Sequence, residues 1–480
     1  MNKVNIIFRA DGSSQTGLGH LIRCAALAEM LVSDFNVRLV SRECPESLIP
    51  RLLISFDEVT LLPESDQTVE AVEEFLQHVE QLPEAPKIIV LDGYGFNTAY
   101  QRKIKGAGYY LVCIDDIHAS HFVADMIINH APSATAHSYS LEAYTTLAFG
   151  LRFALLSPPF LRIARSPHDN KNPQEIFICL GGADPDNGTL GVVKRLFAMG
   201  CSNPLTIVVG SAYKFFEELQ LYLNSSSLQF RVIRGADPQE MVTFMQASRV
   251  GITSPSTVSL EYLCAGRDLY LVQIADNQAE IYEALLQLKL ARDVTSLDLS
   301  DTSVNRPRPK KPIDGFQSYR LLALFKNYDI SYRNATSDDS ALYLAWANDS
   351  SVRKQSFNTE IIRAADHEEW FTRQLVSLNT KMLIFERNNV AVGQVRLTIT
   401  ESFATVSYSV AMEARGMGLG LAMLLHAESY LKRHQPSISE IRGFVKVDNT
   451  ASRKIFDRLG YQSVESDEYP DALKYYCNDF

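Results

Sequence analysis

Through most of the first 290 or so residues, short apolar runs alternate with stretches of helical period. The runs are VNIIF, VRLVS, KIIVLD, YLVCID and DMIIN, then EIFICLGG, LTIVVG, QFRVIRG, VGITS and LYLVQ. Runs this short and this uniformly apolar, separated by helix-length segments, predict parallel strands buried on both faces and joined by crossover helices. Two sets of five predict two doubly wound halves. Prolines interrupt the pattern at FGLRFALLSPPF (Phe149–Phe160), the expected boundary between the halves, and the polar stretch Ala164–Pro173 reads as a surface loop. After Ile281 the alternation fades. Phe316–Lys326 reads as a closing helix with Tyr319, Leu322, Leu324 and Phe325 on its apolar side.

From about Asp329 the order of elements changes. Helices come first, around Ala341–Trp346 and His367–Leu378, followed by strands in KMLIFER, AVGQVRLTI and TVSYSVA. A helix over Leu419–Arg433, a strand in EIRGFVKV and a helix over Thr450–Leu459 complete the set. This grouping predicts an α+β domain on a mostly antiparallel sheet. The expected domains are therefore 1–328, with lobes of about 1–155 and 156–328, and 329–480.

Composition narrows the class. A chain of 480 residues exceeds one ordinary core, and 46% hydrophobic with 21% charged residues is a globular balance. A net charge of −10 argues against nucleic-acid and anionic-membrane partners, which need a basic face. Arg306, Arg308, Lys310 and Lys311 do cluster, but prolines interrupt them and a solvated loop is expected. The seven cysteines show no C-x-x-C spacing and several lie in apolar runs, which fits buried free thiols in a reducing compartment. No zinc-ligand grouping and no run of membrane-spanning length appears, and MNKVNIIF leads straight into a strand with no signal peptide. A cytoplasmic protein is expected.

Two glycine-bearing loops carry candidate chemistry. The first is Arg415-Gly416-Met417-Gly418-Leu419-Gly420, between the alternating strand Thr405–Ala411 and an amphipathic helix. Glycines let the backbone approach a ligand, the first helical turn leaves N–H donors free, and Arg415 adds charge. Downstream stand Val445–Asn449, Ser452, Phe456 and Leu459-Gly460-Tyr461. Together these residues resemble the GNAT acyltransferase superfamily. The resemblance implies that Arg415, Gly416, Gly418 and Gly420 grip the pyrophosphate of acetyl-CoA as co-substrate. It also implies that the strand ending at Val410 pairs with the pantetheine, and that Asn449 and Ser452 touch the cofactor. Phe456 stands where many members have tyrosine, which leaves the acid for the departing thiolate unassigned. The segment Trp346-Ala347-Asn348-Asp349, Val352-Arg353, Ser356, His367 and Trp370-Phe371 resembles the branch that N-acetylates 4-amino nucleotide-sugars. Trp346, Asn348 and Trp370 then become substrate-binding candidates. The tryptophans fit either core packing or stacking on a uracil or sugar ring, and His367 fits a surface or capping position as well as a site.

The second loop is Asp11-Gly12-Ser13-Ser14-Gln15-Thr16-Gly17-Leu18-Gly19-His20, between a strand and the helix Leu21–Leu31. A neutral imidazole at a helix start suits a general base. Further along come Asp92-Gly93-Tyr94-Gly95, Asp115-Asp116, Asn129, Gly150–Leu156, Gly181-Gly182-Ala183-Asp184, Ser256-Thr257 with Glu261, Asn277-Gln278 and Ile313-Asp314-Gly315. This combination resembles the UDP-sugar hydrolases of pseudaminic-acid synthesis, whose two-lobed fold is shared with glycosyltransferases of the B type. Gly181-Gly182 and the helix start at Ser256-Thr257 offer N–H groups to a diphosphate, and Glu261 can accept from ribose hydroxyls. The resemblance makes His20, Tyr94 and Asp11 catalytic candidates. Gly17, Gly19, Gly181, Gly182, Ser256, Thr257, Glu261 and Asn277 become substrate-binding candidates. Pro255 departs from the small residue that many relatives of the fold carry there.

The two resemblances together imply a bifunctional enzyme of pseudaminic-acid synthesis that needs no metal. It would acetylate the 4-amine of UDP-4-amino-4,6-dideoxy-N-acetyl-β-L-altrosamine. It would then hydrolyse UDP-2,4-diacetamido-2,4,6-trideoxy-β-L-altropyranose to the free sugar and UDP. UDP-amino-sugars and neighbouring pathway enzymes are the implied partners. A glycosyltransferase fused to an acetyltransferase, and a non-catalytic UDP-sugar sensor regulating one, are the other readings the sequence leaves open.

Overall fold

The computed structural model describes residues 3–13, 17–63, 72–167, 173–299 and 311–478. They divide into two compact units, Met1–Ser318 and Tyr319–Phe480, with the division falling inside the helix Gln317–Lys326. On that helix Leu321, rather than Leu322, joins Leu324 and Phe325 in being buried.

The first unit opens with β1 (Asn5–Ala10), β2 (Asn36–Ser41), β3 (Glu58–Leu61), β4 (Lys87–Asp92), β5 (Tyr110–Ile114), β6 (His121–Phe122), β7 (Met126–Asn129), β8 (Ser140–Leu141) and β9 (Thr146–Phe149). All but β6 and β8, which pair with each other, form one sheet in the order β3-β2-β1-β4-β5-β7-β9. Its pairs are all parallel. The second sheet takes β10 (Glu175–Cys179), β11 (Leu205–Val209), β12 (Phe230–Arg234), β13 (Ser248–Thr253), β14 (Asp268–Leu271) and β15 (Arg292–Asp293) in the order β12-β11-β10-β13-β14-β15, again parallel. Both halves are Rossmann-like α/β layers. Most of the runs read as strands are buried on both faces, as in β1, where all six residues are buried, whereas the edge strand β12 has no buried residue. In each sheet the order reverses once, between β1 and β4 and between β10 and β13. Loops leaving the carboxyl ends of those neighbours diverge and leave a crevice.

The helix Pro158–Arg165 occupies the start of the expected Ala164–Pro173 loop, and residues 168–172 lie outside the described residues. So do Ser14, Gln15 and Thr16 of the first glycine loop, and Arg306, Arg308 and Lys310 of the basic cluster. Lys311 is described, and its Nζ donates to the carbonyls of Ile163 (2.6 Å) and Ser166 (2.7 Å).

The second unit is a single sheet of β16 (Ile330–Asn334), β17 (Thr380–Arg387), β18 (Val390–Ile399), β19 (Phe403–Val410), β20 (Glu440–Lys446), β21 (Gln462–Glu465) and β22 (Ala472–Cys477), ordered β16-β17-β18-β19-β20-β22-β21. It is antiparallel except where β19 meets β20. Tyr343, Phe371, Met382 and Ile384 form a core on one face beneath the helices Ser340–Ala347 and Ala364–Leu375. All seven cysteines are free thiols, five of them buried. No helix among the described residues is long and apolar enough to cross a membrane.

Candidate functional site

In the first unit the switch point between β1 and β4 sets two distant segments side by side. The chain leaves β1 through the glycine loop and enters the helix Gly19–Leu31, two residues before the expected start, with His20 in its first turn. Gly17 adopts φ +87°, a conformation that disfavours a side chain. Next door, β4 ends at Asp92, whose carboxylate is fully buried. His20 Nδ1 lies 2.7 Å from Asp92 Oδ1.

Arg23, one turn along the helix, grips the same carboxylate with Nε and Nη2, both at 2.6 Å, and reaches Asp116 Oδ2 with Nη1 at 2.6 Å. Burial opposes ionisation of Asp92, but the Arg23 guanidinium overrides it and holds the carboxyl below its usual range. Arg23 Nη2 also stands 3.0 Å from His20 Nδ1. In the tautomer that donates Nδ1–H to the Asp92 carboxylate, Nε2 carries the lone pair. The Tyr94 ring stands edge-on to the imidazole, centroids 4.9 Å apart, with the tyrosine 57% exposed. His20 and Tyr94 are thus brought together.

Asp11 has a different setting. It takes a two-pronged ion pair from Arg9 at 2.7 Å and accepts from Ser41 Oγ and the backbone N–H groups of Arg42 and Glu43. These contacts tie the end of β1 to the end of β2.

At the second switch point the turns after β10 and β13 approach each other. Gly181, at φ +97°, follows β10, and a Cβ there would stand 3.7 Å from Ser254 Oγ after β13. A Cβ on Gly210 would strike the Gly182 carbonyl, so the backbones after β10 and β11 also meet here. Ser256 occupies the N-cap position of the helix Thr257–Leu263, but its hydroxyl pairs with Ser254 Oγ at 3.0 Å and caps no N–H. Asn277 lies exposed in the turn Asp276–Gln278. Glu261 is partly buried, and burial pushes its carboxyl up to about 8 against the pull of Arg51 from the first half.

That shift has a sign. A raised folded-state pKa gives stability that is complete below the ordinary value of 4.5 and is lost as pH rises through about 8. Glu261→Gln is expected to flatten this dependence. Thermal melts at pH 6 and pH 8 should differ less in the variant than in the parent, and equal differences would refute the shift.

In the second unit, β19 and β20 pair only over Phe403–Thr405 against Glu440–Arg442, although both strands run on. The edge of β19 from Val406 to Val410 that would meet β20 therefore has no strand partner among the described residues. Gly416 (φ +80°) and Gly418 (φ +74°) follow, with open space where a Cβ would point, and Gly418 is the N-cap of the helix Leu419–His434. Gly420 is different: a Cβ there would lie 2.9 Å from Ile455 Cδ1 and 3.2 Å from Tyr408 Cε2, so it is a packing glycine. Arg415 bonds Val410 O, Ser351 Oγ and Asp349 Oδ1. Asn449 caps the helix Thr450–Leu459 by accepting from Ser452 N, and the Ser452 hydroxyl accepts from Tyr408 Oη at 3.0 Å.

Residues 330–462 match the acetyltransferase (GNAT) domain family. The C-terminal unit carries a GNAT acetyltransferase domain. An uncharacterised protein of Methanocaldococcus jannaschii is 22% identical over 417 residues, which cover 82% of this chain and 83% of that protein. That match is longer than either unit and spans parts of both. The N-terminal part is homologous to a UDP-2,4-diacetamido-2,4,6-trideoxy-beta-L-altropyranose hydrolase of Campylobacter jejuni. The two are 25% identical over 235 residues, 47% of this chain and 80% of the hydrolase. Among solved structures, the spermidine N-acetyltransferase of Vibrio cholerae in complex with CoA and spermine aligns over 32% of this chain and 96% of its own, at 15% identity and a TM-score of 0.29.

Within the GNAT domain, Phe456 is buried and stacks on Tyr475 with centroids 5.1 Å apart. Trp346 and Trp370 pack on the core of Tyr343, Phe371, Met382 and Ile384. His367 is neither at the surface nor a cap: it is 3% exposed and stacks on Phe371, because its helix turns that face inward. Asn348 exchanges two 2.9 Å bonds with the Ile362 backbone, clasping the loop before the helix Ala364–Leu375.

Proposed function

We propose that the chain is a bifunctional enzyme that acetylates and then hydrolyses a UDP-linked amino sugar. Residues 329–480 acetylate the 4-amine of UDP-4-amino-4,6-dideoxy-N-acetyl-β-L-altrosamine from acetyl-CoA. Residues 1–328, a two-lobed unit of the glycosyltransferase-B type, hydrolyse UDP-2,4-diacetamido-2,4,6-trideoxy-β-L-altropyranose. The observation that carries the reading is the His20–Asp92 pair at the first switch point, in the part of the chain homologous to a hydrolase of that substrate.

In the hydrolysis, His20 Nε2 takes a proton from water as the water oxygen bonds to the anomeric carbon. The bond from that carbon to the UDP oxygen breaks, and UDP leaves with the electron pair. Asp92 holds the imidazole in the required tautomer and stabilises the imidazolium. Arg23 keeps Asp92 ionised, Tyr94 walls the imidazole, and Asp11 positions the loop rather than meeting the sugar. N–H groups at Gly181-Gly182 and at the start of the Thr257 helix hold the diphosphate, with Glu261 and Asn277 around the nucleoside and sugar.

In the acetyl transfer, the neutral amine attacks the thioester carbonyl, which unpaired N–H groups of β19 polarise. The thiolate leaves as a base or water takes the amine proton. Gly416 and Gly418 open their backbone to the CoA pyrophosphate.

Mass spectrometry after incubation with the UDP-4-amino sugar and acetyl-CoA is expected to show the 4-acetamido product, then free UDP and the diacetamido sugar. Neither acetylated sugar-nucleotide nor UDP would defeat the proposal. UDP release that requires an added sugar acceptor would favour a glycosyltransferase, and binding without turnover a sensor.

A further inference from the structure

Several arginines in the C-terminal unit bond oxygen atoms of described residues, but Arg396 on β18 does not. Arg333 pairs with Asp339 and Glu386, and Arg387 with Asp329 and Asn327. Arg415 pairs with Asp349 and Ser351, and Arg353 bonds the carbonyls of Ala347, Asn358 and Glu360. The guanidinium of Arg396, on β18, makes no hydrogen bond or ion pair with any described residue. Its partner is the face of Trp370, 5.2 Å from guanidinium to ring centroid. Its electrostatic neighbours are the phenols of Tyr343 and Tyr469.

The register explains the location. Arg396 is paired with Met382 on β17 and with Ser407 on β19, so all three share a face of the sheet. Met382 belongs to the core that holds Tyr343, with Trp370 packed against it. Arg396 therefore stands at the border of an aromatic cluster and of the stretch of β19 that has left β20. Burial lowers the guanidinium from its ordinary value, yet an arginine keeps its charge.

Nearby polar atoms are also unanswered. Tyr343 is 5% exposed and its hydroxyl has no hydrogen-bond partner. Gln394, two residues before Arg396 and on the same face, has its Oε1 buried without a partner while its Nε2 reaches Ser409 Oγ at 3.3 Å. A partly buried cation with no counter-charge, next to an unpaired hydroxyl, is costly unless an anion completes it.

We propose that Arg396, backed by Trp370 and assisted by the Tyr343 hydroxyl, binds an anionic phosphate oxygen of the acetyl acceptor and so selects nucleotide-linked amines over free ones. The inference rests on the proposed acetyl transfer to a UDP-amino sugar and adds the group that reads the diphosphate. The same chemistry would suit a phosphate of CoA, and the kinetics separate the two sources.

The test uses the full chain, with initial rates of CoA thiol release. Arg396→Gln is expected to raise KM for the UDP-4-amino sugar ~10–100-fold, the worth of a charge-assisted hydrogen bond, with KM for acetyl-CoA unchanged. Arg396→Lys, which keeps the charge but not the fork, should fall between. UDP should inhibit the parent competitively against the amino sugar and inhibit Arg396→Gln more weakly by the same factor. Unchanged KM for the amino sugar overturns the inference, as does a rise confined to acetyl-CoA. A parent enzyme that acetylates no UDP-amino sugar defeats the proposed function and this inference with it.

Discussion

Alanine in place of His20 is expected to slow UDP release from the diacetamido UDP-sugar ~10²–10⁴-fold, the usual worth of a positioned general base. UDP should still bind. The imidazole projects from the first turn of a helix whose neighbours Leu21, Cys24 and Ala25 hold it in place, so its loss removes one function and little packing. Asp92→Asn probes the same step by another route. The amide can present a donor where Nδ1–H needs an acceptor, so the imidazole turns or takes the wrong tautomer, and a rate loss of ~10⁴-fold is the precedent for such a change. It also leaves Arg23 with Asp116 alone, and breaking a buried pair costs about 3–5 kcal/mol. The two variants should therefore separate: both slow in hydrolysis, with only Asp92→Asn melting much earlier. Hydrolysis at the parental rate in His20→Ala would rule out the mechanism, and acetyl transfer by the same preparations shows that the protein is intact.

His20 was legible because glycines and a strand-to-helix turn surround it. Asp92 is legible as part of Asp92-Gly93-Tyr94-Gly95, but its task depends on a partner 72 positions earlier, which only the adjacency of β1 and β4 reveals. Arg23 offered a signal that went unused. It is one of two charges inside LIRCAALAEML and the one that is buried, and a charge on a buried helix face must have partners. The ten apolar runs became strands because parallel strands covered on both faces are largely apolar. β3 was missed because EVTL lies half in solvent, β15 because two residues carry no pattern, and β9 because TLAF adjoins the proline break. The family resemblances present Asn348 and Asn449 as ligand contacts, and in the structure the first clasps a loop and the second caps a helix. Asparagine serves both purposes equally well, and a linear pattern does not distinguish them.

The glycine loop at Arg415 yields the second large effect, because its glycines look alike in sequence and differ in space. Gly418 has φ +74° and nothing within 4 Å of a Cβ, so no neighbour demands its lack of a side chain. Valine there meets strain of about 1–3 kcal/mol in the left-handed region and projects a branched group where N–H groups turn outward at the helix start. Gly418→Val is expected to raise KM for acetyl-CoA roughly 10–100-fold, equivalent to about 1.4–2.8 kcal/mol of binding. Gly420 has an ordinary backbone but sits against Ile455 and Tyr408, so Gly420→Val overpacks the junction of two helices and β19. About 1–3 kcal/mol of destabilisation is expected, read as a lower melting temperature, with a smaller effect on KM in the protein that remains folded. The contrast is the test. If Gly418→Val binds acetyl-CoA normally while Gly420→Val does not, the pyrophosphate seat lies deeper in the helix than the open backbone at Gly416 and Gly418. If neither changes KM, the divergence of β19 from β20 must hold the co-substrate without this loop.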